Sequence, residues 1–166
     1  MMTRLAGLKF AAAACCFLAL AACSKKTTPD LEAGANGGGI GAARPGSQAD
    51  FTTNVGDRIY FANDQSTLSP EAQDTLRKQG SWLNRYQPVA VQVEGHADER
   101  GTREYNISLS ARRATATRNF LIAQGVDGKR ISSIAYGKER PVALCDAEQC
   151  WSQNRRAVTV ITGGAN

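Results

Sequence analysis

The stretch from Pro88 to Gly125 constrains this chain more than any other. Val89, Val91 and Val93 alternate with Ala90, Gln92 and Glu94, the period of a strand with one buried face. Gly95 ends the alternation. Gly101 precedes a helical pattern from about Thr102 to Gln124, closed by Gly125. A strand feeding a long helix through a short loop needs further strands beside it and a sheet face beneath the helix. The flanking sequence supplies them. "DRIYFAND" carries a short strand over Arg58–Phe61, with aromatic and β-branched residues. A helix follows it: Ser69 fits the N-cap, Pro70 the first helical position and Glu71 the positive end of the dipole. Leu76, Leu83 and Tyr86 then recur on one face. "RISSIAYG" reads as a third strand and "RAVTVIT" as the last, joined by a loop with two cysteines. The order is β-α-β-α-β-β. It predicts an α/β (α+β) domain over 50–166, with a mixed sheet and both helices on one face.

The residues before this domain are of another kind. Arg4 and Lys9 precede a short apolar run, Phe10–Leu20, too short to span a bilayer comfortably. The run ends in Leu20-Ala21-Ala22-Cys23, which resembles the bacterial lipobox. Residues 1–22 thus read as a lipoprotein signal peptide. Cys23 becomes the lipidated N-terminus, with an N-acyl chain and an S-diacylglycerol group. The alternative is an uncleaved membrane anchor with an incidental cysteine. Ser24 follows Cys23 where an aspartate would mark inner-membrane retention, so the implied destination is the outer membrane, with the domain in the periplasm.

Residues 23–49 include "LEAGANGGGIGAARPGSQ", rich in glycine, alanine and serine, and cannot bury enough surface to offset their ordering entropy. They read as a flexible tether. About 25 such residues span roughly 25–30 Å as a coil and roughly 80–90 Å when extended.

Five cysteines are an odd number for an oxidising compartment. Cys15 and Cys16 leave with the signal peptide and Cys23 carries lipid, which leaves Cys145 and Cys150 in "LCDAEQCW" as one small disulfide loop. Closing it stabilises the fold by about 2 kcal/mol in the chain-entropy model. No metal site is expected, because zinc wants four ligands and the single histidine, His96, is distant in sequence. The net charge of +5 falls to +3 once Arg4 and Lys9 are removed, and no basic run is interleaved with aromatics, so nucleic acid is an improbable partner.

His96–Arg100 lie at the carboxyl end of a strand, a common place for ligand groups in α/β folds. Their glycine spacing fits neither a P-loop nor a dinucleotide fingerprint. On a helical wheel, Ile107, Ala111, Ala114 and Leu121 share one face. Asn106, Leu109, Arg113, Ala116 and Phe120 share another, roughly opposite. An arginine among apolar neighbours needs a partner. Arg113 either pairs internally, with Asp98 as the obvious candidate, or waits for an external carboxylate.

The motifs "GHADERGTREYN", "LSARRA", "YGKERPV" and "NRRAV" together resemble the peptidoglycan-associated lipoproteins (Pal) of the OmpA-like domain family, over about residues 55–162. The resemblance implies an OmpA-like β-α-β-α-β-β fold and a ligand, the meso-diaminopimelate side chain of uncrosslinked peptidoglycan stems. It implies that Asp98 takes the ligand ammonium and that Arg113 takes a carboxylate, where its planar fork suits bidentate contact. Thr102, Leu109, Phe61 and Asp64 match family contact positions, and Asn106 braces the loop. "FAND" departs from the more usual "FDYD", which weakens the match at Asp64. Asn154, Arg155 and Arg156 match the "NRR" motif bordering the site. The resemblance further implies TolB and the Tol complex as partners, with TolB and peptidoglycan competing.

Each residue has a plainer reading. The His96 side chain braces its loop, Asp98 and Arg113 form a structural ion pair, and Arg156 is an inward cation. Glu99, Arg100, Arg103 and Glu104 are a solvated face. A hydrolase would need a zinc triad, a Cys/His pair or two poised carboxylates, and the sequence offers none of these clearly, so an enzyme is not expected. Another OmpA-like lipoprotein outside the Tol system, or a stator-like anchor, would keep the ligand and change the assembly.

Overall fold

The computed structural model describes residues 43–165. The signal peptide, the lipidated Cys23 and most of the tether lie outside the described residues. Ser47 caps a helical turn, α1 (Gln48–Asp50), which continues as a π-helical turn through Val55. The turn straddles the expected tether–domain boundary and is pinned to the domain. Asp50 accepts from the Gly46 amide, the Asn54 amide group and the Trp82 indole at 2.8–2.9 Å. Phe51 is fully buried against the Trp82 ring.

Strand β1 (Arg58–Tyr60) leads to α2 (Pro70–Arg85). The Ser69 hydroxyl accepts from the Ala72 amide, and Pro70 occupies the first turn, where its missing N–H costs nothing. Leu76, Trp82 and Leu83 sink into the core. In β2 (Ala90–Gly95), Val91 and Val93 are buried while Gln92 and Glu94 are half-buried, as the alternation requires. Helix α3 (Arg103–Ala123), capped by Thr102, lies on β2 and β3 (Ile131–Ala135) and against α2. Gly95 is required where α3 crosses β2, because a Cβ there would stand 2.0 Å from the Ser110 carbonyl oxygen.

The sheet order is β1-β4-β2-β3. The last strand, β4 (Arg156–Gly163), is antiparallel to both its neighbours, while β2 and β3 run parallel, with Val91 opposite Ile131. The expected mixed sheet and strand–helix order are present. Two details differ. The segment expected as a plain loop holds a short helix, α4 (Glu148–Asn154), tied at its start by the Cys145–Cys150 disulfide. And the two opposed faces expected on α3 do not exist. Asn106, Leu109, Ser110, Arg113, Ala114, Thr117 and Leu121 form a single buried stripe at helical spacing, while Ala111 is exposed. Ser110 and Thr117, assigned to neither face in the sequence, fill the gap between them and join the two into one.

Candidate functional site: a cleft with charges of both signs

The loop after β1, the Gly95–Thr102 loop and the first half of α3 enclose a cleft of about 280 Å³. Its lining is Asn63, Asp64, Asp98, Arg100, Gly101, Tyr105, Asn106, Leu109 and Arg113. Three local devices shape it. Gly101 turns at φ +84°, which lets the chain reverse into the Thr102 cap. The Asn106 side chain donates to the Arg100 carbonyl at 2.8 Å and fixes the loop to the helix. Asp64 is the one non-glycine residue at positive φ among those described, 56°, and its carboxylate accepts from the Tyr105 hydroxyl.

Arg113 is completely buried. Its Nε donates to the Gln65 carbonyl at 2.8 Å, Nη1 to His96 O at 2.8 Å and Nη2 to Ala62 O at 3.3 Å. The guanidinium also lies 5.1 Å from the Phe61 ring centre. It ties the two cleft loops together, yet none of these partners carries a negative charge. Burial pushes its pKa down to about 10, against the pull of Asp98, and it stays cationic at neutral pH. Of the two alternatives left open for Arg113, the internal pair with Asp98 is not formed.

Asp98 has other partners. Its Oδ1 accepts from the Arg100 amide and Nε at 3.2 Å, and its Oδ2 from Arg100 Nη2 at 2.6 Å and Arg155 Nη1 at 3.3 Å. Burial alone would raise its pKa, but the Arg100 and Arg155 bonds hold the carboxyl below its ordinary value. Arg100 therefore belongs to the cleft and not to a solvated face. Its Nη2 also donates to Asn63 Oδ1 at 2.7 Å, and its guanidinium sits 4.2 Å from the Trp151 ring centre.

Of the expected ligand residues, Asp64, Asp98, Asn106, Leu109 and Arg113 line one cleft. Phe61 is buried beneath Arg113, and Thr102 caps α3, accepting from the Tyr105 amide at 3.2 Å. The "NRR" motif divides. Arg155 bridges Asp98 and Glu148, while Asn154 clamps the Val142–Ala143 backbone. Arg156 points inward, where it donates to the carbonyls of Asn154 and Arg140. His96 braces the loop through its backbone and not, as expected, through its side chain. Its imidazole is buried beside Tyr136 with both nitrogens unpartnered, and burial and the nearby Arg156 and Arg140 lower its pKa to about 3. Its nearest carboxylate, Glu94, is 3.6 Å away, too far for a hydrogen bond.

Asn63, Arg100 and Tyr105 are the lining residues that sequence reasoning missed. Arg100 stands two residues from Asp98 inside a glycine-bounded loop, a spacing that favours local carboxylate contact. Tyr105 precedes Asn106 in the first turn of α3. Among the described residues, no three His, Cys, Asp or Glu side chains are grouped to hold a metal ion.

The sheet and the helices that cover it match a known class of domain. A model of the OmpA family matches residues 60–155, and the chain belongs to that family. The relatives it matches there carry a narrower description. The peptidoglycan-associated lipoprotein of Agrobacterium fabrum is 60% identical over 147 residues, covering 88% of this chain and 83% of its own. That of Mesorhizobium japonicum is 56% identical over 149 residues, covering 90% and 89%. The crystal structure of the peptidoglycan-associated lipoprotein from Burkholderia pseudomallei matches with a TM-score of 0.65 at 33% identity, covering 69% of this chain and 98% of that one.

Proposed function

We propose that this chain is an outer-membrane lipoprotein, anchored by lipid on Cys23, that binds peptidoglycan non-covalently and links the outer membrane to the wall. The ligand is the meso-diaminopimelate of an uncrosslinked stem, with its ammonium at Asp98 and its carboxylate facing Arg113. The single observation that carries this reading is Arg113: a fully buried guanidinium, partnered only by carbonyls, that shares one cleft with a carboxylate. A buried cation without a counter-charge is costly unless a ligand supplies one, and Asp98 beside it selects a ligand carrying both signs. The names of the relatives support the same reading. Asp64, with Tyr105, borders the ligand, Leu109 gives it an apolar contact, and Asn106, Phe61 and Thr102 support the walls.

A few charge-assisted bonds, each worth about 1.5–3 kcal/mol, give modest affinity at one stem. Many stems close to an anchored domain raise the effective concentration, so single contacts release quickly while attachment persists. Within the envelope the domain works with TolB and the Tol complex, which release it from the wall and gather it at constricting division sites. The chain acts as a binder on this reading, as the names of its relatives suggest.

The test uses the full chain in detergent with purified sacculi. Diaminopimelate-type sacculi retain it, lysine-type sacculi lacking the side-chain carboxylate do not, and free meso-diaminopimelate competes. Asp98→Ala and Arg113→Ala, checked for folding by thermal melts, lose retention. Equal retention of wild type and both folded variants would overturn the assignment.

A further inference from the structure

Resting on that reading of the cleft, we propose that Trp151, seated by the Cys145–Cys150 bridge, is a positioning residue for ligand binding. Its ring is a shelf that holds the Arg100 guanidinium to one side of Asp98 and keeps the cleft open. Arg100 is a long, partly exposed side chain beside two cleft carboxylates, Asp98 and Asp64. Free to move across the cleft, it competes with an incoming ammonium for the remaining acceptor positions of both. Its Nε and Nη2 already donate to Asp98 Oδ1 and Oδ2 at 3.2 and 2.6 Å, and two further contacts restrain it: the Trp151 ring at 4.2 Å and Asn63 Oδ1 at 2.7 Å.

The shelf is itself held. The Trp151 indole N–H donates to Glu99 Oε1 at 2.6 Å, so the ring is tied to the residue between Asp98 and Arg100. Its helix, α4, has seven residues and no side-chain N-cap, too little for a helix to persist unaided. The disulfide supplies the constraint, joining Cys145 ahead of the helix to Cys150 in its first turn. A second strut runs from α4 to the same carboxylate, Glu148 to Arg155 to Asp98. The bridged segment thus sets the carboxylate end of the cleft through two separate arginines.

Sacculus binding by the full chain in detergent tests this. Trp151→Ala and the double variant Cys145→Ser/Cys150→Ser each weaken binding about five-fold, the size of a half-exposed cation–π contact, while Trp151→Phe keeps the ring and loses less than about two-fold. In an Arg100→Ala background, Trp151→Ala changes nothing further, because no guanidinium remains to misplace. The same loss in both backgrounds, or no loss in either, overturns the proposal. Wild type failing to bind sacculi would remove the cleft assignment and this inference with it. Wild type and Trp151→Ala binding alike would remove the inference alone. A readout independent of ligand is the Arg100 Nε–H resonance, shifted by the Trp151 ring current in the wild type and displaced in Trp151→Ala. A resonance indifferent to that substitution also overturns the proposal.

Discussion

Helices α2 and α3 cover the same sheet with unlike surfaces. α2 buries Ala72, Leu76, Trp82 and Leu83, and the single polar side chain it buries, Gln79, donates to Gly56 O and accepts from the Thr159 hydroxyl. α3 buries Asn106, Ser110, Arg113 and Thr117 among Leu109, Ala114 and Leu121. Each of those polar groups has a partner: Asn106 on Arg100 O, Ser110 between Ile107 O and the Gly137 amide, Thr117 on Arg113 O, Arg113 on three carbonyls. α2 holds the fold by apolar area. α3 holds it by filling hydrogen-bond requirements, and two of its polar residues, Asn106 and Arg113, also line the cleft. A helix that lines a cleft can abandon the apolar pattern provided the backbone around it supplies acceptors.

Substitutions on the two helices separate these modes. Leu76→Ala or Leu83→Ala in α2 costs about 3 kcal/mol in urea unfolding, the usual loss at a buried leucine, and leaves sacculus binding by the folded fraction intact. Arg113→Leu in α3 costs less, about 2 kcal/mol, because orphaning three carbonyls is partly offset by removing a buried charge, yet binding disappears. A more stable Arg113→Leu protein would mean that the guanidinium serves binding alone.

His96, at the head of the α3 loop, brings pH into the comparison. The folded imidazole stays neutral down to about pH 3, whereas the unfolded chain takes up a proton below about 6.5. The His96 contribution to stability is therefore constant above pH 6.5 and is lost as the pH drops towards 3, at about 1.4 kcal/mol per unit. His96→Phe, measured by denaturant titrations at pH 7 and 5, flattens that slope. The smallest effect concerns the caps, where the helices agree. Ser69→Ala and Thr102→Ala each cost about 1 kcal/mol by thermal melts, since each hydroxyl bonds one orphan amide. A much larger loss of binding than of stability in Thr102→Ala would place the Thr102 hydroxyl on the ligand.

How much was legible in the sequence follows from the same physics. The strands and the two long helices announce themselves through periodicity and caps, as in Val89–Val93 and Ser69-Pro70-Glu71. α4 does not, because it is short, lacks a capping side chain and is held by a cross-link. Asp98 and Arg113 stand out as charges in apolar or glycine-bounded surroundings, but their true partners were hidden. Arg113 bonds backbone carbonyls 17 to 51 residues away, and carbonyls leave no mark in a sequence. Arg100 and Trp151 meet only because α4 folds back over the Asp98 loop.

The place of β4 has a consequence for how the molecule is made. The final strand lies between β1 and β2, which are joined to each other in the sheet only through it. A chain emerging amino end first can build β2, α3 and β3 as a unit, but β1 has no neighbour to zip against until residues 156–163 are free. Closure of the sheet is a late, non-local event, and until then β1 has no place in it.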